Sequence, residues 1–208
     1  MNKQNIILDL DHTLLYTPDD ENWYSKIKGL EGEDVLRRRV FAYEIPDIKM
    51  KGSGYSDKYV TILRPHCRKF LTYCFNRFDS VCIWSAGRRE YVLEIVKYLF
   101  SSHRYPDIVF TYDELVGGIK PIQHLIDMTK SDDSMSLKNT FIVDDLEDNF
   151  YENEDNGILI PQYHPKMTKS GLLSDDNALI NLIKWFNKPE VIKAKDIREI
   201  NKSKIFKK

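Results

Sequence analysis

The chain has 208 residues, of which 42% are hydrophobic and 30% charged, the composition of an ordinary globular protein and not of a collagen, a disordered chain or a disulfide scaffold. Its 31 basic and 32 acidic residues leave a net charge of −1, which argues against a protein that coats nucleic acid. No apolar run approaches the ~20 residues that a helix needs to cross a bilayer, so neither direct nucleic-acid binding nor membrane contact is expected.

The first apolar run, Asn5–Leu10, lacks the length and cleavage pattern of a signal peptide, and a cytoplasmic or nuclear location is expected. It reads as a buried strand that ends in Asp9-Leu-Asp11-His-Thr13. The stretch Thr17–Arg39 is polar, has weak periodicity and closes on the charge run Arg37-Arg38-Arg39. Phe41–Met50 and Lys58–Leu63 are β-rich and flank Lys51-Gly-Ser-Gly-Tyr-Ser-Asp57, which predicts a hairpin with a flexible tip. After Arg64-Pro65, with proline suited to a first helical turn, Cys67, Phe70, Leu71 and Cys74 share one helical face.

Ser80–Ser85 is a second strand, and Val92, Ile95, Val96 and Leu99 mark a helix that starts near Arg88. Lys120–Lys130 is a shorter helical candidate. Asn139–Asp145 and Gly157–Ile160 are further strands. Ser174-Asp175-Asp176 reads as a cap with an acidic first turn, ahead of Leu179, Leu182, Ile183 and Phe186. The lysine-rich tail after Lys188 is expected to form a helix and then a frayed end. Short apolar strands alternating with amphipathic helices predict an α/β fold: a Rossmann-like open parallel sheet, helices on both faces, and a small β-hairpin flap. The expected organisation is one catalytic domain over 1–188, with an insert at about 16–60, followed by a C-terminal helix and basic tail over 189–208.

In such sheets ligands bind beyond the carboxyl ends of the strands, and the polar residues fall there. Asp9 and Asp11 are two apart, so their side chains point the same way from the strand end. Neighbouring carboxylates repel unless a proton or cation lies between them, and Mg²⁺ takes oxygen ligands. A calcium-binding EF-hand loop is excluded, because counting from Asp9 its glycine would fall at Leu14 and its glutamate at Asp20. Asp144 and Asp145 end another strand. Ser85 ends a third and opens Ser85-Ala-Gly-Arg88 before a helix, a hydroxyl with a helix N-terminus suited to an anion. Lys120 supplies a positive charge. Carboxylates, hydroxyl, lysine and a further Asp pair form a phosphate-and-metal constellation.

These residues resemble the haloacid dehalogenase superfamily of phosphotransferases and, within it, the phosphatases of the RNA polymerase II C-terminal domain. Asp9–Leu15 is similar to the first motif of that family. Ile62-Leu-Arg-Pro65 with Phe70-Leu71, Ile83–Gly87, Lys120 and Ile142–Asp145 are similar to the motifs that follow. Asp144-Asp145 is the pair of the larger members, where small ones carry Asp-Asn. The resemblance spans about Asn5 to Phe186 and implies a Mg²⁺-dependent phosphoserine/threonine phosphatase. Asp9 would be the nucleophile and Asp11 the general acid and base, with Ser85 and Lys120 on the phosphoryl oxygens and Thr13 supporting the phosphate-binding loop. Asp9, the Asp11 carbonyl and Asp145 would hold the metal, while Asp144 completes its shell or fixes Lys120. The implied partner is a phosphorylated protein segment such as the polymerase tail, with Arg37, Arg38 and Arg39 as candidate substrate contacts.

Other readings compete. A metabolite or nucleotide phosphatase would use the same residues, and a non-catalytic relative would bind phosphopeptides without turnover. Cys82 and Arg88 have the C-x₅-R spacing of cysteine-dependent phosphatases, but Cys82 lies inside an apolar strand and that chemistry needs an exposed thiolate. Cys67, Cys74 and Cys82 are odd in number, show no C-x-x-C spacing and read as reduced core thiols.

Overall fold

The computed structural model describes residues 3–18, 23, 36, 38–46, 52, 54–101, 104–129 and 135–207. Its strands in chain order are β1 (Asn5–Leu8), β2 (Leu15–Tyr16), β3 (Val40–Pro46), β4 (Ser56–Leu63), β5 (Ser80–Trp84), β6 (Ile108–Phe110), β7 (Thr140–Asp144) and β8 (Gly157–Leu159). The helices are α1 (Cys67–Arg77), α2 (Arg89–Leu99), α3 (Ile122–Thr129), α4 (Lys169–Leu173), α5 (Ala178–Phe186) and α6 (Pro189–Ile192).

Five strands form a parallel sheet in the order β6-β5-β1-β7-β8. The alternation of strand side chains divides its core. Ile6 and Leu8 pack with Phe70 and Leu71 of α1, Ile95 of α2 and Leu182 of α5. Ile7 points the other way and packs with Cys82, Ile142 and, from α3, Ile122 and Leu125. Helices therefore cover both faces, as expected. Register places the chemistry: Leu8 lies level with Ile83 of β5 and with Val143 of β7. Asp9, Ser85, Asp144 and Asp145 consequently leave the same edge of the sheet.

The insert is larger than a hairpin. β3 and β4 pair antiparallel from Val40↔Ile62 to Pro46↔Ser56, and β2 adds a third strand through Leu15↔Leu63. This small sheet leans on the helical layer through aromatic rings, with Phe41 stacked on Tyr98 at 3.5 Å between centroids. Most of the polar stretch before it, Arg37 and part of the expected flexible tip lie outside the described residues.

Three elements differ from expectation. β6 was not expected; three residues give too short a pattern to read. α5 begins at Ala178, because Asp176 spends its carboxylate on the Ala178 amide and on Arg64 and does not cap from Ser174. The C-terminal segment does not fray. Val191, Ile197 and Ile205 join the main core, and the Lys202 ammonium donates to the carbonyls of Asp155, Ile197 and Ile200. No helix among the described residues is long and apolar enough to cross a membrane.

Arg64 ties the parts together. It is 1% exposed and donates to both carboxylate oxygens of Asp176 at 3.0 Å, to Thr13 O at 3.1 Å and to Pro161 O at 2.8 Å. It thus joins the loop after β1, the segment after β8 and the start of α5. Removing one side of such a buried pair leaves the other uncompensated. Arg64→Ala should lower unfolding free energy by about 3–5 kcal/mol in urea titration; a loss under ~1 kcal/mol, the scale of an exposed pair, would show that this contact does not organise the fold.

Candidate active site

The site lies where β1, β5 and β7 end. A cavity of about 260 Å³ is lined by Asp9, Asp11, His12, Ser85, Asp145 and Leu146, among others. Lys120 is fully buried beneath it. Its ammonium donates to Asp9 Oδ1 at 2.6 Å and to Asp144 Oδ2 at 2.7 Å. Burial alone would lower its pKa, but the two carboxylates outweigh that and hold it above the ordinary value. The lysine precedes α3, and its own amide donates to Asn149 O at 2.7 Å.

The two adjacent aspartates take different roles. Asp144 is saturated: Lys120 holds Oδ2, while the Leu146 amide and Asn149 Nδ2 donate to Oδ1 at 2.9 and 2.8 Å. It fixes Lys120. Asp145 reaches the cavity and accepts from Gln162 Nε2 at 3.0 Å and more distantly from Thr13 Oγ1 at 3.4 Å. Thr13 therefore sits behind Asp145. Ser85 is buried and accepts from the Gly87 amide at 3.0 Å, which leaves its own proton for an oxygen in the cavity. Gly87 has a steric role: a Cβ there would lie 2.8 Å from the Tyr91 ring.

Asp9, Asp144 and Asp145 each offer a carboxylate oxygen within 4.8 Å of the others. An all-oxygen donor set suits a hard divalent cation such as Mg²⁺. The charge balance agrees, because four carboxylates surround one ammonium. Burial raises Asp9 well above the usual carboxylate range against the pull of Lys120, and Asp144 and Asp11 add to the rise. Burial also raises Asp145, again with a contribution from Asp144. A dication would relieve both.

Asp11 is likewise raised by burial, which the Tyr91 hydroxyl opposes by donating to Oδ1 at 2.5 Å. Such a carboxyl keeps its proton at higher pH than an ordinary aspartate, as a general acid requires. Cys82 has no comparable claim. It lies in the core, and burial pushes its thiol up to about 12, so the thiolate chemistry fails. All three cysteines are free and buried.

Of the arginine run, Arg38 is exposed. Arg39 donates to Leu63 O, Leu172 O and Tyr163 Oη, which engages its guanidinium inside the protein. Arg37 lies outside the described residues. The sequence reading missed Tyr91, Asn149 and Gln162. Tyr91 follows Ser85 by six residues, on the inward face of a helix whose periodicity was legible; the other two sit in irregular segments with no period to reveal them.

The family model for NLI interacting factor-like phosphatases matches residues 4–198. The chain belongs to that family. It is 30% identical over 153 residues to the ubiquitin-like domain-containing CTD phosphatase 1 of Rattus norvegicus and 29% identical to that of Homo sapiens, covering in each case 68% of this chain and 46% of the relative. It thus spans about half the length of the curated relatives it matches. Among solved structures, the fission yeast RNA polymerase II CTD phosphatase Fcp1 bound to beryllium fluoride has a TM-score of 0.64 at 20% identity, covering 88% of this chain and 50% of that one. A second Fcp1 structure has a TM-score of 0.64 at 16% identity, covering 97% and 59%. These two support the fold.

Metal ligands must be deprotonated, and the raised Asp9 and Asp145 make protons compete at higher pH than for free carboxylates. Mg²⁺ should raise the Tm of the protein at pH 7.5, and its affinity should weaken as pH falls toward 5. Asp145→Asn should weaken binding by about tenfold or more, as read by calorimetry. An affinity that is flat with pH and unchanged in Asp145→Asn would place the cation elsewhere.

Proposed function

We propose that the chain is a Mg²⁺-dependent phosphoserine/threonine protein phosphatase that works through an aspartyl-phosphate on Asp9. The observation that carries this reading is the pairing, in one cavity, of a lysine-bound Asp9 with an Asp11 held separately by the Tyr91 hydroxyl. Asp9 Oδ1 is held by Lys120, which leaves Oδ2 to attack phosphorus. Asp11 gives its proton to the departing serine or threonine oxygen, then takes one from the water that hydrolyses the intermediate. Ser85 and Lys120 hold phosphoryl oxygens as the transferred group moves. Asp9, Asp145 and the Asp11 carbonyl are the residues that would hold Mg²⁺, which when bound offsets charge on the phosphoryl group.

A protein substrate is favoured by how the cavity is framed. Among the described residues, Ser85 to Lys120 contains one helix, one short strand and a 3-10 turn, with no cap domain to close over a metabolite. Asp145 also lines a second cleft of about 560 Å³, with Ile158, Ile160 and Phe206 in its wall, room for residues that flank a phosphosite. The names of the relatives make a phosphorylated RNA polymerase II tail the first candidate, and that substrate would put the site of action in the nucleus. Arg38, the exposed member of the arginine run, is our candidate contact for a further phosphate.

Asp9→Asn should abolish turnover and Asp11→Asn should nearly do so, whereas Cys82→Ser should keep most activity. Activity in Asp9→Asn with loss in Cys82→Ser would overturn the mechanism. On substrates, kcat/KM for phosphoserine peptides should exceed that for sugar phosphates and nucleotides. A metabolite that wins by more than about tenfold, ~1.4 kcal/mol of transition-state binding, would replace the protein substrate.

A further inference from the structure

Asp11 is joined to the insert by an unbroken line of side-chain hydroxyls. Tyr91 Oη lies 2.5 Å from Asp11 Oδ1, Thr17 Oγ1 is 2.8 Å from Tyr91 Oη, Thr61 Oγ1 is 2.7 Å from Thr17 Oγ1, and Tyr43 Oη is 3.1 Å from Thr61 Oγ1. Thr61 lies in β4 and Tyr43 in β3, Thr17 directly follows β2, and Tyr91 is on α2, so two of the four hydroxyls belong to strands of the small antiparallel sheet and a third to the residue that leaves it.

Proton counting fixes the direction. Each hydroxyl has one proton to give. A carboxylate accepts and does not donate, so the Tyr91 proton goes to Asp11. Tyr91 must then accept from Thr17, Thr17 from Thr61, and Thr61 from Tyr43. Every donor points toward Asp11, and each bond polarises the next. Asp11 Oδ1 is thereby occupied, and among the described residues Oδ2 has no protein hydrogen-bond partner. Asp11 lines the cavity, and a proton carried on Oδ2 leaves the Tyr91 bond to Oδ1 intact.

We propose that the Tyr43–Thr61–Thr17–Tyr91 chain makes the insert sheet a positioning element for the general acid, holding Asp11 Oδ1 so that Oδ2 delivers the proton to the leaving oxygen. This rests on the phosphatase reading above. Tyr91 is placed for the role by its packing: it is 9% exposed, meets Tyr59 of β4 at 6.1 Å between centroids, and has room only because residue 87 is glycine. The insert then serves the chemistry through its hydroxyls.

The test is the dependence on leaving group. p-Nitrophenolate leaves with little protonation, phenolate needs more, and a serine alkoxide needs most. Tyr91→Phe keeps the ring and removes the hydroxyl. It should lower kcat/KM on a phosphoserine peptide and on phenyl phosphate by about tenfold or more, part of the 10²–10⁴ that a general acid supplies, with kcat/KM on p-nitrophenyl phosphate nearly unchanged; kcat/KM reports the step in which the leaving group departs and not the later hydrolysis that Asp11 also serves. Thr61→Val, two links away, should show the same selectivity at a few-fold loss, and Thr61→Ser should restore wild-type rates. Equal losses on all three esters, or no loss on any, would overturn the inference and leave the phosphatase reading intact. A selective loss in Tyr91→Phe alone would confine the positioning to Tyr91 and overturn the role of the sheet. A wild type that turns over neither aryl ester nor phosphopeptide would overturn the functional reading and this inference with it. Because the aryl esters are not protein substrates, their comparison stands even if the physiological substrate is a metabolite.

Discussion

The buried ammonium of Lys120 is the constraint to which the strand ends answer. An unpaired ammonium with no exposure would cost several kcal/mol in desolvation, so carboxylates must be brought to it. They come from two neighbouring strands, Asp9 after β1 and Asp144 at the end of β7. The pairing of β1 with β7 in a register that sets Leu8 beside Val143 makes this possible. A slip of one residue would turn the side chains to the opposite face and strand the lysine. Asn149 completes the arrangement from both ends, bonding Asp144 with its amide and the Lys120 backbone with its carbonyl. With Asp144 committed to the lysine, Asp145 is free to face the cavity.

Arg64 does for the loop after β1 what Lys120 does for the strands. A guanidinium offers five donors in a fixed plane, and this one uses them on Thr13 O, Pro161 O and the Asp176 carboxylate. The loop carries Asp11, with His12 at a φ of 57°, a left-handed conformation that costs free energy in a non-glycine residue. The His12 carbonyl accepts from the Tyr163 amide and its amide donates to Leu15 O, so the turn is held at both ends by neighbours. The loop after β1 is thus set by contacts that lie 51 residues away at Arg64 and about 150 away at Tyr163, which explains why the residues around the cavity read as scattered along the chain.

What the sequence made legible follows from apolar patterning. The strands ending at Asp9, Ser85 and Asp144 stand out as short continuous apolar runs, as strands buried on both faces do, and the helices bearing Phe70, Ile95 and Leu182 repeat at about 3.6 residues. The four aspartates could be named because charged groups at strand ends have few structural explanations; Lys120, which precedes a helix, was singled out by its likeness to a family motif. Partnership was not legible. Nothing local distinguishes Asp144 from Asp145; their division of labour depends on Asn149 and Gln162, which lie in segments without a period. The anchored C-terminal segment was misread for a related reason: its lysines suggested solvent, while Lys202 is in fact folded against three carbonyls and Ile205 is buried.

The three-stranded insert shows how a small addition can change a catalytic sheet without enclosing it. Its aromatic residues bind it sideways to α2, through Phe41 on Tyr98 and Tyr59 near Tyr91, so it stands beside the cavity. A lid that closes over a substrate gains catalysis by excluding water, but it also limits substrate size. Among the described residues, the sheet reaches the residues around the cavity through contacts in its base. The hydroxyls of Thr17, Thr61 and Tyr43 are such contacts, in a line that ends on the Asp11 carboxylate, which neither Lys120 nor Asp145 bonds. Asp9 and Asp11 are thus held by separate networks, one built from the core sheet and one reaching in from the insert; under the proposed mechanism these hold the nucleophile and the acid independently.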